Sequence, residues 1–115
     1  MGLDMYLRGS GGDIGSWRKA NAIHGWMVRE VQGGNDDQKE YEVPREKLLQ
    51  LLGLCLGILN DVLTPEDLPP TEGFFFGSTA VDTDYYDDLR HTIKLLKEAL
   101  SKQKEGHAIF YSSWW

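Results

Sequence analysis

The sequence predicts an α+β fold, a small and mostly antiparallel sheet packed with about three helices. Two observations carry this expectation. Short stretches near both ends have the look of strands, the first with the strict apolar–polar alternation of a half-buried strand. Three longer stretches repeat apolar residues at the period of a helix, and the order β-α-β-α-loop-α-β suits a sheet covered by helices. The pairing of the strands is not fixed by this pattern.

The first strand is expected over Leu3 to Leu7, where Leu3, Met5 and Leu7 alternate with Asp4 and Tyr6. A glycine-rich turn follows from Gly9 to Gly15. Ser16 is a suitable cap for a helix running to about Gln32, where Gly33-Gly34 stops it. Its expected inward stripe is Ala20, Ile23, His24, Met27, Val28 and Val31, with Trp17 and Asn21 at one margin and Trp26 on the opposite side. Gly33 to Gln38 reads as a loop and Lys39 to Val43 as a short strand.

Pro44 suits the first turn of a second helix reaching about Leu63. Its apolar residues, Leu48, Leu49, Leu51, Leu52, Cys55, Ile58, Leu59 and Val62, cover more than half of its circumference, which predicts a central helix packed on several sides. Gly53 and Gly57 share its bare face, either to admit a close neighbour or as two tolerated surface glycines. A long connection, Thr64 to Ala80, precedes a third helix from about Asp84 to Lys102. A closing strand, His107 to Ser112, leads to Trp114-Trp115.

Length and composition set the class. The 115 residues suit one domain, 1–115, with 41% hydrophobic and 26% charged residues. The one cysteine, Cys55, excludes an intrachain disulfide framework and a cysteine-built zinc site, and a reducing cytoplasm is the expected compartment. No secretory leader is recognisable, and the longest apolar run, Leu48 to Leu59, is too short to cross a bilayer. The net charge of -6 argues against a nucleic-acid partner, which clustered basic residues would serve.

Four constellations are candidates for chemistry. The glycine-rich turn stands where a helix N-terminus would meet an anion, although its spacing matches neither a Walker A loop nor the dinucleotide fingerprint. Arg18 and Lys19, read in the first helical turn, would oppose the helix dipole by ~0.3–1 kcal/mol each. A bound phosphate would offset that, and so would simple exposure to solvent. Asp82, Asp84, Asp87 and Asp88 read as dipole-favourable acids at the start of the third helix rather than as a metal site.

Trp17, Asn21 and His24, at i, i+4 and i+7 of one helix, would meet over one patch suited to a flat polar ligand. The alternative is a buried histidine satisfied within the core. No serine, cysteine or aspartate stands in a motif that would make His24 a catalytic base, so no enzyme, metal or cofactor is expected. In Phe74-Phe75-Phe76 the middle ring, Phe75, would face away from the other two, toward a pocket or a partner.

The run Trp17-Arg18-Lys19-Ala20-Asn21-Ala22-Ile23-His24 is distinctive in combination with three others. These are the opening Gly2-Leu3-Asp4-Met5-Tyr6-Leu7, the segment Gly73-Phe74-Phe75-Phe76-Gly77-Ser78-Thr79, and the ending Tyr111-Ser112-Ser113-Trp114. Together they resemble a family of small proteins encoded by bacteriophages and prophages. The chain departs from that pattern in a shorter link between the first strand and Trp17, in Val81 for tyrosine and in Gln38 for cysteine. The resemblance implies a site built from Trp17, Arg18, Asn21, His24, Phe75, Ser78, Asp82 and Tyr85, and it brings no activity with it.

Two functions follow as expectations. In the first, the protein binds a small anionic, nucleotide-derived signal of host defence. Trp17 would stack, Arg18 and Lys19 would hold phosphate, Asn21 and His24 would meet polar edges, and Ser78 and Tyr85 would close the pocket. In the second, exposed aromatic residues (Trp26, Phe75, Trp114 and Trp115) contact a host defence protein or a second copy of the chain.

Overall fold

In the computed structural model, which describes residues 2–73 and 76–115, strand β1 (Asp4–Gly9) lies at the centre of the architecture. It pairs antiparallel with β2 (Gly12–Arg18) on one side and with β4 (Ile109–Trp114) on the other. The two-residue strand β3 (Tyr41–Glu42) pairs antiparallel with β4, giving the order β2-β1-β4-β3. Three helices complete the fold: α1 (Asn21–Glu30), α2 (Arg45–Leu59) and α3 (Thr83–Lys104). The α+β class and the antiparallel sheet are as the sequence predicts.

The sheet has a dry face and a wet face. Met5, Leu7, Trp17, Ile109, Tyr111 and Ser113 are buried on one side. Their alternates Tyr6, Arg8, Ser16 and Trp114 are exposed, as the period of two requires. Helix α3 lies across β1, β2 and β4 and along α2. It approaches β2 so closely that a Cβ at Gly15 would run into the Leu95 side chain.

Two expectations are corrected here. The stretch read as a turn and a helix start is strand β2. Only Ser10-Gly11 form the turn, because Gly9 pairs with Gly12 and the chain returns along β1. The extra residue, Ile14, is accommodated by a bulge opposite Leu7 and Arg8. Gly12 (φ 141°) therefore serves the hairpin and Gly15 the close approach of α3, and the glycine-rich turn does not precede a helix N-terminus.

The second correction concerns which helix is central. Every residue of α1 from Asn21 to Met27 is buried, including Trp26, which is only 5% exposed. Helix α2, expected to be surrounded, buries one stripe of Leu48, Leu51, Cys55 and Ile58. The connections after α1 and after α2 reach back to it, at His24 through Asp36 and at Asn21 through Thr71. Leucine content made α2 look central, but the wrapping segments cover α1. Helix α3 and the end strands lie close to their predicted positions, with β4 running two residues further, to Trp114. Among the described residues, no helix is long and apolar enough to cross a membrane.

Candidate cleft between the starts of two helices

Helix α1 begins abruptly. Lys19 holds a left-handed backbone (φ 57°), its N–H donating to Leu3 O (2.7 Å) and its carbonyl accepting from Asn21 N (2.9 Å). This kink turns the chain from strand to helix within two residues. Ala20 supplies no side-chain cap, and the first turn carries no acid. Among the described residues the amides of Ala22 and Ile23 have no backbone partner, as at the start of any uncapped helix. Arg18 and Lys19 thus precede the helix rather than forming its first turn.

Asn21 ties this start to the long connection. Its amide donates to Phe76 O (3.1 Å) and Ser78 O (2.8 Å), and its Oδ1 accepts from Thr71 N (3.1 Å). Beyond them Asp82 caps α3, its Oδ1 accepting from Asp84 N (3.1 Å) and Tyr85 N (3.4 Å). The starts of α1 and α3 and the connection between them enclose a cleft of about 380 Å³. Arg18, Lys19, Asn21, Ser78, Asp82 and Tyr85 all line it, brought together from two stretches of sequence, 18–21 and 78–85.

The cleft is bipolar. On one side stand Arg18, Lys19 and the uncapped start of α1, which carries the positive end of the helix dipole. On the other stand Asp82, Asp84, Asp87 and Asp88. Partial burial first, and then neighbouring Asp84, push the Asp88 carboxyl up to about 6. Asp87 is held at 2.9 Å by Arg90 on the surface. Among the described residues no three acidic, histidine or cysteine side chains converge to hold a metal ion.

The remaining predicted residues lie elsewhere. Trp17 is buried on β2, and its Nε1–H donates to Thr92 Oγ1 (2.8 Å). It does not share a helical face with Asn21 and His24, because the helix has not yet begun. His24 is fully buried. Its Nδ1 accepts the Tyr111 hydroxyl (2.6 Å), and its Nε2–H donates to Asp36 Oδ1 (2.9 Å). Trp115 Nε1–H donates to the same carboxylate oxygen (3.1 Å). Burial pushes the His24 pKa down against the opposing pull of Asp36, so the ring is neutral and the contact is a hydrogen bond rather than an ion pair.

The polar atoms of Trp17, Asn21 and His24 are therefore committed within the protein. Neither Trp17 nor His24 lines the cleft, which corrects the stacking patch expected of these three. Tyr85 forms part of the wall, with its hydroxyl donated to Leu68 O (2.7 Å) and its pKa raised by burial to about 12. Ser78 Oγ accepts from Ala80 N (3.0 Å). Phe75 lies outside the described residues, whereas Phe76 is buried edge-on to the His24 and Trp115 rings.

The aromatic contact set also divides. Trp26 is a core residue, which corrects its expected place at an interface. Trp115 is half-buried by the network around Asp36, and Trp114 is 64% exposed on the wet face of the sheet. Sequence reasoning missed Asp36, Thr92 and Tyr111 as partners of the predicted residues, and nothing local in the sequence joins them. Compared with protein-family models, curated proteins and solved structures, the chain matches none.

Proposed function

We propose that this chain is a phage-encoded, non-enzymatic binding protein that sequesters a small, phosphate-bearing, nucleotide-derived signal of host defence. The supporting observation is the convergence of Arg18, Lys19, Asn21, Ser78, Asp82 and Tyr85 on one cleft of about 380 Å³. That volume is in the range of small-molecule sites, roughly 300–1,000 Å³. The phage setting rests on the resemblance of the sequence motifs, and the defence role on association with that setting alone.

The charges define the ligand further. Arg18, Lys19 and the start of α1 favour a phosphate. The carboxylates of Asp84 and Asp88 accept hydrogen bonds, as from the exocyclic amine of a base. Four acids against two cations disfavour a ligand of high negative charge, so one phosphate with an amino-bearing base fits better than a polyphosphate.

A second reading, docking onto a host defence protein in the bacterial cytoplasm, is favoured by the wet face of the sheet. There Trp114 (64% exposed) and Tyr6 (47% exposed) stand on adjacent strands. Large exposed aromatics of this kind dominate binding hot spots. The two readings are separated by protection assays in cells carrying a nucleotide-signalling defence. Loss of protection with Arg18→Ala/Lys19→Ala but not with Trp114→Ala supports sequestration. The reverse pattern contradicts it.

A further inference from the structure

Four carboxylates line the acidic pole of the cleft, and one of them is both uncommitted and withdrawn from water. Asp82 accepts from two amides as the cap of α3, Asp87 is held by Arg90, and Asp84 is exposed. Asp88 is half-buried. Its backbone carbonyl accepts the Thr92 hydroxyl (2.6 Å). Among the described residues its carboxylate takes part in no hydrogen bond and no ion pair.

The surroundings of Asp88 make this placement unfavourable for a carboxylate. On its own helix stand Asp82, Asp84 and Asp87, with His91 opposing them. Arg18 and Lys19 line the opposite side of the cleft and are not among the charges that act on it. An unpaired carboxylate kept partly out of water beside like charges lowers the stability of the protein. Groups held in this way within a cleft are characteristic of binding sites, where a ligand makes use of them.

We infer that Asp88 makes the cleft selective for guanine, so that its ligand is a guanine mononucleotide; this rests on the nucleotide-binding reading of the same cleft. An ionised carboxylate only accepts hydrogen bonds, and its two oxygens suit two donors side by side. Guanine presents that edge, in its N1–H and its exocyclic amine. Adenine and cytosine place an acceptor next to their amine, and uracil sets one N–H between two carbonyls. Those bases call for a side-chain amide. Among the described residues lining the cleft the one amide is Asn21, already bonded to Phe76 O, Ser78 O and Thr71 N. Pro70, Tyr85 and Leu89 add apolar wall for the ring. A volume of about 380 Å³, near the lower end for small-molecule sites, suits one nucleotide better than two.

Isothermal titration of the full chain at pH 7.5 with the 5′-monophosphates of guanosine, adenosine, cytidine, uridine and xanthosine tests the inference. The guanine nucleotide is expected to bind at least about tenfold more tightly than the adenine one. Asp88→Asn, with an unchanged circular dichroism spectrum, should weaken the guanine nucleotide by at least about tenfold and reverse the preference toward xanthine. Xanthine keeps the N1–H but has a carbonyl in place of the amine, which an amide side chain matches with one acceptor and one donor. Adenine or cytosine nucleotides bound as tightly as guanine overturn the inference and leave nucleotide sequestration standing, as does an Asp88→Asn variant that still prefers guanine. Failure of all five to bind at millimolar concentration overturns the inference and the nucleotide reading together.

Discussion

His24 of α1 accepts the hydroxyl hydrogen of Tyr111 of β4 across 2.6 Å, with both side chains sealed from solvent. The carboxylate of Asp36, which can only accept, fixes the tautomer of the imidazole. With Nδ1 accepting, the proton sits on Nε2 and points to Asp36. The arrangement orders a histidine, a tyrosine and a carboxylate in a line, yet the tyrosine oxygen is closed to any substrate. Its role is to bind the first helix, the sheet and the loop after α1 into one unit.

Acid should loosen that unit. The folded pKa of His24 lies below its ordinary 6.5, so the unfolded chain binds the proton first. The stability contributed by neutral His24 is complete above about pH 6.5 and declines as the pH falls toward the folded pKa. Urea denaturation across pH 7.5 to 5 should show this loss, and His24→Gln should flatten the slope. Tyr111→Phe, which leaves Nδ1 buried without a donor, should cost about 1–3 kcal/mol at pH 7.5.

Asp88 should act in the opposite sense. Its carboxyl is raised to about 6, so the stability it contributes is full below the ordinary 3.8 and is lost as the pH rises through about 6. Asp88→Asn is therefore expected to stabilise the protein at pH 7.5, by about 1 kcal/mol once solvent screening of this partly exposed group is allowed for. The gain should vanish near pH 4. Parallel melts of the two proteins at both pH values check it.

Asn21 should behave as a tether. Asn21→Ala removes bonds to Phe76 O, Ser78 O and Thr71 N, at an expected cost of about 1–3 kcal/mol. Amide exchange should accelerate in Thr71 and in the residues from Phe76 to Ala80, while β1 and β4 keep their protection. Asn21→Asp, which retains the acceptor for Thr71 N but loses both donors, should restore the protection of Thr71 alone.

Trp26 separates a core role from an interface role. Its burial predicts that Trp26→Ala costs about 3–5 kcal/mol in stability, while Trp114→Ala leaves the melting curve within about 0.5 kcal/mol of wild type. Thermal denaturation of both variants distinguishes these outcomes directly.

Features set by local patterns were legible in the sequence. The alternation of Leu3, Met5 and Leu7 marks β1, and Asp82 with its neighbouring acids marks the start of α3. Strand β2 is obscured because its glycines look like a loop while serving the hairpin and the approach of Leu95. The burial of Trp26 was illegible for a different reason. It depends on segments that wrap α1 from elsewhere in the chain, and helical periodicity carries no information about them. The cleft is partly legible: residue type and resemblance point to Arg18, Lys19, Asn21, Ser78, Asp82 and Tyr85, and these lie together. Trp17 and His24 would join them only on one continuous helix, which the kink at Lys19 removes.

Native mass spectrometry of the protein drawn from phage-infected, defence-expressing cells, with denaturing release of anything bound, tests the proposed sequestration most directly. The expected result is one small phosphate-bearing compound per chain, lost in Arg18→Ala/Lys19→Ala and retained in Trp114→Ala. A chain that carries no such compound, or holds a stoichiometric host polypeptide in its place, would contradict the account.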